Sequence, residues 1–238
     1  MDHFVQNIIK GLSQVAFPDV CVCCGLENTQ EHRQICSFCL QGRFQDANPD
    51  NLRSSSDTLL PEGVLSQHAL WQFSKGGDLQ NLLHRLKYER LATIGVDLGR
   101  KLGERVQSHP FLLRRFRSAS DATILPVPLH YLKFRYRGFN QAFEIARGFQ
   151  EVWPELPICD IKSVARIKNT RTQTGFSLKK RLQNMNKAFQ VKQPTAVEDQ
   201  LVIIIDDVFT TGATTFELAQ TVLEAGARSV IVLTVAQA

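Results

Sequence analysis

A chain of 238 residues, 43% of them hydrophobic, has the material for one substantial core plus a small appendage. Its charged fraction of 21% is ordinary for a soluble globular protein, its net charge of +5 is unevenly placed, and no apolar run approaches the ~20 residues that a membrane helix needs. Asp2 and His3, followed by a segment interrupted by polar residues, do not make a secretory signal, so a cytoplasmic protein without membrane insertion is expected.

Phe4, Ile8, Ile9, Leu12 and Val15 recur at helical spacing and Pro18 closes the segment, which predicts a short amphipathic helix that needs a surface to lie against. Five of the six cysteines follow between Cys21 and Cys39, while Cys159 stands alone and is read as an ordinary buried thiol. A disulfide framework is not expected without an export signal. Cys21-x-x-Cys24 and Cys36-x-x-Cys39, separated by eleven residues, each turn two thiolates toward one point, and together they satisfy tetrahedral zinc. Cys23 breaks the two-residue spacing and is read as a spectator, with His32 as the less favoured substitute ligand. Such a closed site is structural and locks a segment too short to build a core. Residues 1–44 are expected to form the N-terminal helix and this module.

Residues 45–67 turn polar, with Pro49, the run Ser54-Ser55-Ser56, Pro61 and Gly63, and read as a linker. Residues 68–238 then alternate strands with helices. Residues 69–73 predict a strand; Leu79, Leu82, Leu83 and Leu86 make one helical face, and Ile94, Leu98 and Leu102 a second. Residues 122–127 read as a buried strand stopped by Pro126 and Pro128, and Phe139, Phe143, Ala146 and Phe149 mark a helix ending near Trp153-Pro154. Residues 202–205 form an apolar run suited to a central parallel strand. Phe216, Ala219, Val222 and Leu223 give the next helix, terminated at Gly226, and residues 229–235 the last strand. The alternation predicts an α/β domain with a mainly parallel sheet.

From Val202 to Thr214 the chain reads V-I-I-I-D-D-V-F-T-T-G-A-T. A strand buried on both faces delivers Asp206 and Asp207 to its carboxyl end, where ligands bind in open α/β sheets. Thr210, Thr211, Gly212, Ala213 and Thr214 then stand at the mouth of a helix, whose unpaired N–H groups and dipole favour a phosphate. Gly212 lets the backbone approach the anion, and the threonines add hydroxyl donors. Two adjacent carboxylates suit a pair of vicinal hydroxyls, so the two features together describe a phosphorylated ribose. An acidic turn followed by a Thr cap accounts for the helix start alone. It does not account for two carboxylates capping an apolar strand, where burial is costly without partners.

The same segment closely resembles the phosphoribosyl pyrophosphate (PRPP) signature of type I phosphoribosyltransferases. Leu86-Lys87-Tyr88, P-V-P-L-H at 126–130, R-G-F-N-Q at 137–141 and the spaced set Arg166, Thr170, Gln173, Ser177, Arg181 and Asn184 look like the ComF family of competence-associated proteins, GntX-like proteins included. That family also begins with a four-cysteine zinc motif. The resemblance runs from Cys21 to the C-terminus and implies a type I phosphoribosyltransferase fold preceded by a zinc-ribbon-like module. It implies that Asp206 and Asp207 form the catalytic pair and hold the ribose hydroxyls, while residues 210–214 hold the 5′-phosphate. Lys87, Arg135 and Arg137 become candidates for the pyrophosphate, which Arg matches bidentately, with Mg²⁺ bridging PRPP oxygens. The segment 166–189 corresponds to a hood that varies with the acceptor, so Arg166, Arg171, Lys179, Lys180 and Arg181 become candidates for nucleic acid or an acceptor.

Several assignments carry two readings. Between Ile161 and Lys187 stand eight Lys/Arg and no Asp or Glu, either a solvated basic surface or one that meets phosphates. Tyr131, Phe134, Tyr136 and Phe139 interleave with Lys133, Arg135 and Arg137, either as a stacking surface for single-stranded nucleic acid or as the packing of a loop. His130 is a turn residue or an acid–base group, and Lys87 a pyrophosphate ligand or a snorkelling helix-end lysine. The expectation is a PRPP-binding, phosphoribosyltransferase-like protein of DNA uptake that also contacts single-stranded DNA, with partners such as a competence helicase. The alternative is an active phosphoribosyltransferase of nucleotide or base salvage with no nucleic-acid role. No residue identifies the attacking nucleophile.

Overall fold

The computed structural model describes residues 20–28, 33–47, 60–117, 121–168 and 187–238. The expected helix at Phe4–Val15, the middle of the linker, His32, and most of the hood, including Arg171, Lys179, Lys180 and Arg181, lie outside the described residues. Among the described residues the elements are α1 (Ser37–Gly42), β1 (Val64–Gln72), α2 (Asp78–Tyr88), α3 (Ala92–Gln107), α4 (Pro110–Arg117), β2 (Ala122–Pro126), α5 (Tyr131–Arg137), α6 (Gln141–Val152), β3 (Val164–Arg166), β4 (Phe189–Val191), β5 (Leu201–Phe209), α7 (Ala213–Glu224) and β6 (Ser229–Gln237).

Four strands form a parallel sheet in the order β1-β6-β5-β2. Successive residues of β5 feed opposite layers. Ile203 and Ile205 pack with Leu86, Ile94, Leu98, Ile145 and Phe149 on one face. Val202 and Ile204 pack with Leu218, Ala219 and Val222 of α7 on the other. Burial on both faces is why this strand shows an unbroken apolar run and no alternation. Helices α3 and α6 cross at backbone contact: a Cβ on Gly99 would overlap the Ile145 carbonyl, and one on Gly148 the Val96 carbonyl.

Three sequence expectations need correction. β1 begins at Val64 instead of residue 69, so residues 64–67, read as the end of a polar connection, belong to the sheet. Ser66, Gln67 and His68 are buried there, and their polarity hid the strand. β5 runs past residue 205 to Phe209, because β6 stays paired with it as far as Gln237. The stretch 131–137, read as part of a loop, is helix α5.

Both edges of the sheet are covered. On one side Ile158 bridges to Ile124 of β2. On the other, Asp46 bridges to Trp71, with the Ala47 N–H donating to the Leu70 carbonyl at 3.0 Å. Covering an edge removes unpaired backbone groups that invite aggregation.

Candidate phosphate cleft and cysteine cluster

The register of the sheet opens the cleft. β2 stops at Pro126, opposite Ile205, whereas β5 continues along β6, so Asp206 and Asp207 lie beyond the end of their β2 neighbour. After Phe209 the chain turns through Thr210, Thr211 and Gly212 into α7, and residues 208–215 line a concavity. Gly212 has φ 73° and caps the helix. A Cβ there would overlap the Phe216 ring, which stacks edge-on against Phe209 at 5.5 Å beneath the turn. The N–H groups opening α7 have no carbonyl one turn behind them and remain available to an anion.

Lys87, at the end of α2, forms an ion pair with Asp207 Oδ2. Burial would lower the Lys87 ammonium, but the Asp207 and Asp206 carboxylates outweigh it and raise it above its usual value. Burial would likewise raise Asp207, yet the Lys87 charge and hydrogen bond hold it below the usual carboxylate range. Asp206 behaves oppositely. Burial, reinforced by the negative charge of Asp207, pushes it up to about 8. The Asp207 N–H donates to Asp206 Oδ1 at 2.9 Å. The two shifts run in opposite directions, so of the pair Asp207 gives up its proton first and Asp206 holds its own more tightly.

Around this pair the fold gathers cations from separate elements. Arg137 lies over the Tyr88 ring at 5.3 Å and donates from Nη1 to Gln141 Oε1 at 2.9 Å. The R-G-F-N-Q motif acquires a physical reading here. Gly138, at φ 85°, ends α5; Asn140 caps α6 and ties back to the Val127 carbonyl at 3.0 Å; Gln141 holds the Arg137 guanidinium. Lys133 is lowered to about 8 by burial and by the positive charges of Arg166, Arg137 and Lys87. Arg166, on β3, is lowered by burial against an opposing pull from Asp206, and lies over the Phe189 ring at 5.4 Å. Among the described residues, Lys87, Lys133, Arg137 and Arg166 thus gather at the end of the sheet that carries the two carboxylates, an arrangement that favours a polyanion.

The structure brings together Lys87, Arg137, Arg166, Asp206 and Asp207. It places Arg135 apart from them: that side chain is exposed and donates to the Tyr131 hydroxyl at 2.9 Å. His130 is the N-cap of α5, its Nδ1 accepting from the Leu132 N–H at 3.3 Å. Lys133 was not singled out for the cleft in the sequence; its one-turn offset from Arg137 is a signal only once residues 131–137 are known to be helical.

The Sγ atoms of Cys21, Cys24, Cys36 and Cys39 all lie within 4.8 Å of one another, positioned to bind a metal ion. Cys24 and Cys36 Sγ are 3.8 Å apart. A tetrahedron with Zn–S bonds of about 2.3 Å has an edge of about 3.8 Å, so the donor set fits zinc. The N–H groups of Cys23 and Cys36 point at Cys21 Sγ at 3.4 and 3.3 Å. Cys23 is outside the group of four, and Cys159 is buried. The cluster is fastened to the α/β domain. Asp97 of α3, buried, accepts from the Gln34 and Ile35 N–H groups at 2.7 and 3.0 Å, and Arg85 of α2 donates to the Val22 carbonyl at 2.7 Å.

No family model matches the chain. Over 232 residues it is 30% identical to DNA utilization protein YhgH of Escherichia coli (strain K12), spanning 90% of this chain and 94% of that protein. The protein of the same name from Salmonella typhimurium is 29% identical over 226 residues, with the same coverage of 90% and 94%. Competence protein F of Haemophilus influenzae is 30% identical over 161 residues, spanning 67% of this chain and 68% of that one.

Proposed function

The chain belongs to the ComF family, and from that premise we propose that it is a PRPP-binding protein with a type I phosphoribosyltransferase domain, acting in DNA uptake and contacting single-stranded DNA. The observation that carries PRPP binding is the convergence of the Asp206–Asp207 pair, the Thr210–Gly212 turn and the cations Lys87, Lys133, Arg137 and Arg166 at one end of the sheet. Each part suits one portion of PRPP. The acids accept from the ribose diol, the turn holds the 5′-phosphate at a helix start, and the cations meet the diphosphate. Mg²⁺, carried with the diphosphate, supplies further neutralisation of its charge. The four cysteines hold a structural zinc, with residues 1–44 as that module and the transferase domain from residue 68 onward, extended by the first residues of β1.

The DNA role rests on the names of the relatives, on the net charge of +5 and on the basic stretch from Lys162 to Lys187. Among the described residues no helix is long and apolar enough to cross a membrane. The protein works in the cytoplasm, beside the uptake machinery. Titration calorimetry with PRPP and Mg²⁺ should show a site that disappears in Asp206→Ala with Asp207→Ala while circular dichroism is unchanged. Retained binding in that variant puts PRPP elsewhere and defeats the reading. Binding of single-stranded DNA should weaken steeply with salt, and a flat response removes the nucleic-acid part. Release of pyrophosphate across a panel of bases and amines separates a turnover enzyme from a binding protein.

A further inference from the structure

Helix α4 turns two unlike faces to its surroundings. His109 starts it, Nδ1 accepting from the Leu112 N–H at 3.4 Å. Leu112 and Phe116, four residues apart, are buried, and the Phe116 ring stands edge-on to Phe149 at 6.2 Å and to Trp153 at 5.4 Å. At 3.6 residues per turn, Phe111, Arg114 and Arg117 fall opposite that buried pair, with Arg115 at the margin beside Phe111. All four are exposed, Phe111 at 41%. The Arg115 guanidinium lies 5.6 Å from the centre of the Phe111 ring.

On the adjoining helices α3 and α6, arginines are matched by carboxylates: Arg100 by Asp97 and Glu151, Arg105 by Asp46, Arg147 by Glu144. On α4 the matching stops. No Asp or Glu stands between Glu104 and Asp121, and Arg114, Arg115 and Arg117 form no ion pair among the described residues. The helix dipole favours cations in the last turn, which accounts for their position along α4. It does not account for three outward guanidinium groups with no acid beside them, which leave a local positive field. The patch is remote from the cleft. Gln141, which holds Arg137, opens α6, whereas Phe116 meets Trp153 just past the other end of that 12-residue helix, about 18 Å away.

Resting on the DNA reading above, we propose that the outer face of α4 docks single-stranded DNA: Arg114, Arg115 and Arg117 meet successive phosphates, and Phe111 gives a base a ring to lie on. An exposed helix face encloses nothing, so it suits a polymer held at several phosphates over a small anion that needs a pocket. The guanidinium fork matches phosphate oxygens, which a lysine does only as a point charge. The exposed ring favours a single strand, whose unpaired bases are free to stack. Because α4 and the cleft lie at opposite ends of α6, strand and PRPP occupy the protein together.

The test is fluorescence anisotropy of a labelled oligothymidylate with the full chain over a salt series. Arg114→Gln with Arg115→Gln and Arg117→Gln should make the plot of log affinity against log salt shallower by about 2, from three phosphate contacts at about 0.7 each. Between about 50 and about 200 mM salt the native chain should then lose about 16-fold more affinity than this variant. Circular dichroism and calorimetric PRPP binding should be unchanged, and the triple Arg→Lys variant should keep the native slope. Phe111→Ala should weaken binding by about fivefold or more at any one salt concentration. The proposal is overturned by a native slope in the Gln variant, by a Phe111→Ala variant as tight as the native chain, or by a difference that vanishes with saturating Mg²⁺–PRPP, which puts the strand in the cleft. A Gln variant that keeps the native slope but loses binding to phosphatidylserine vesicles assigns α4 to an anionic membrane instead. A native chain that binds no oligonucleotide defeats the DNA reading itself, whereas salt-dependent binding that the variants leave untouched defeats this proposal alone.

Discussion

Replacing Lys87 by Met keeps the length and apolar stem of the side chain but removes the ammonium that faces Asp207. Removing one partner of a buried ion pair costs about 3–5 kcal/mol, because the other charge is left without compensation. Here the side chains are 25% and 14% exposed, so solvent screens part of the loss and about 2–3 kcal/mol is the expected destabilisation. For a chain of 238 residues this lowers Tm by about 5–10 °C. The loss depends on pH in a defined direction. Asp207 is depressed in the fold, so its contribution is present above its unfolded value of 3.8 and vanishes as pH falls through the folded value. Lys87 is raised, so its contribution is present below its unfolded value of 10.5 and vanishes as pH climbs through the folded value. Urea denaturation of Lys87→Met and the native chain should therefore differ fully at about pH 7.5 and much less once the pH has fallen below the depressed folded value of Asp207. An equal difference at both values, or one under about 0.5 kcal/mol at the higher, would refute the assignment of the pair as a partly buried electrostatic clamp.

Three further outcomes are expected. Asp206 is raised to about 8 from 3.8, so its folded form keeps a proton that the unfolded form has lost, and native stability falls as pH rises between those values. Asp206→Asn should flatten that decline in urea midpoints measured against pH. Gly212→Ala places a Cβ at φ 73° against the Phe216 ring. The strain of about 1–3 kcal/mol should displace the turn, read as loss of calorimetric PRPP binding with a lowered Tm. Asp97→Ala removes the acceptor for two N–H groups beside Cys36 and the partner of Arg100 at 2.9 Å. Faster release of bound metal to a chromogenic chelator is the expected result, and unchanged release would mean that the cysteine cluster holds without its anchor on α3.

What was legible in the sequence is what repeats locally. The cysteine spacing located the four-thiol cluster, because the two residues between paired thiols set their separation along the chain. The apolar spacing of Leu79, Leu82, Leu83 and Leu86 marked α2, and the unbroken run before Asp206 marked a strand covered on both faces. The T-T-G-A-T turn announced the start of α7, since turn chemistry of that kind depends on a few consecutive residues.

Only the tertiary structure decided which distant side chains meet. Lys87 joins Asp207 because α2 ends beside the carboxyl end of β5. Lys133 and Arg166 join them from α5 and β3, elements too short to announce themselves by periodicity. Val64 begins β1 despite the polar residues that follow it, because β6 on one side and residues 46–47 on the other satisfy a backbone that local pattern alone would leave unassigned. The division has one physical cause. Periodicity and turn chemistry are written in neighbouring residues, whereas the charge around Asp206 depends on the order in which the sheet assembles strands from opposite ends of the chain.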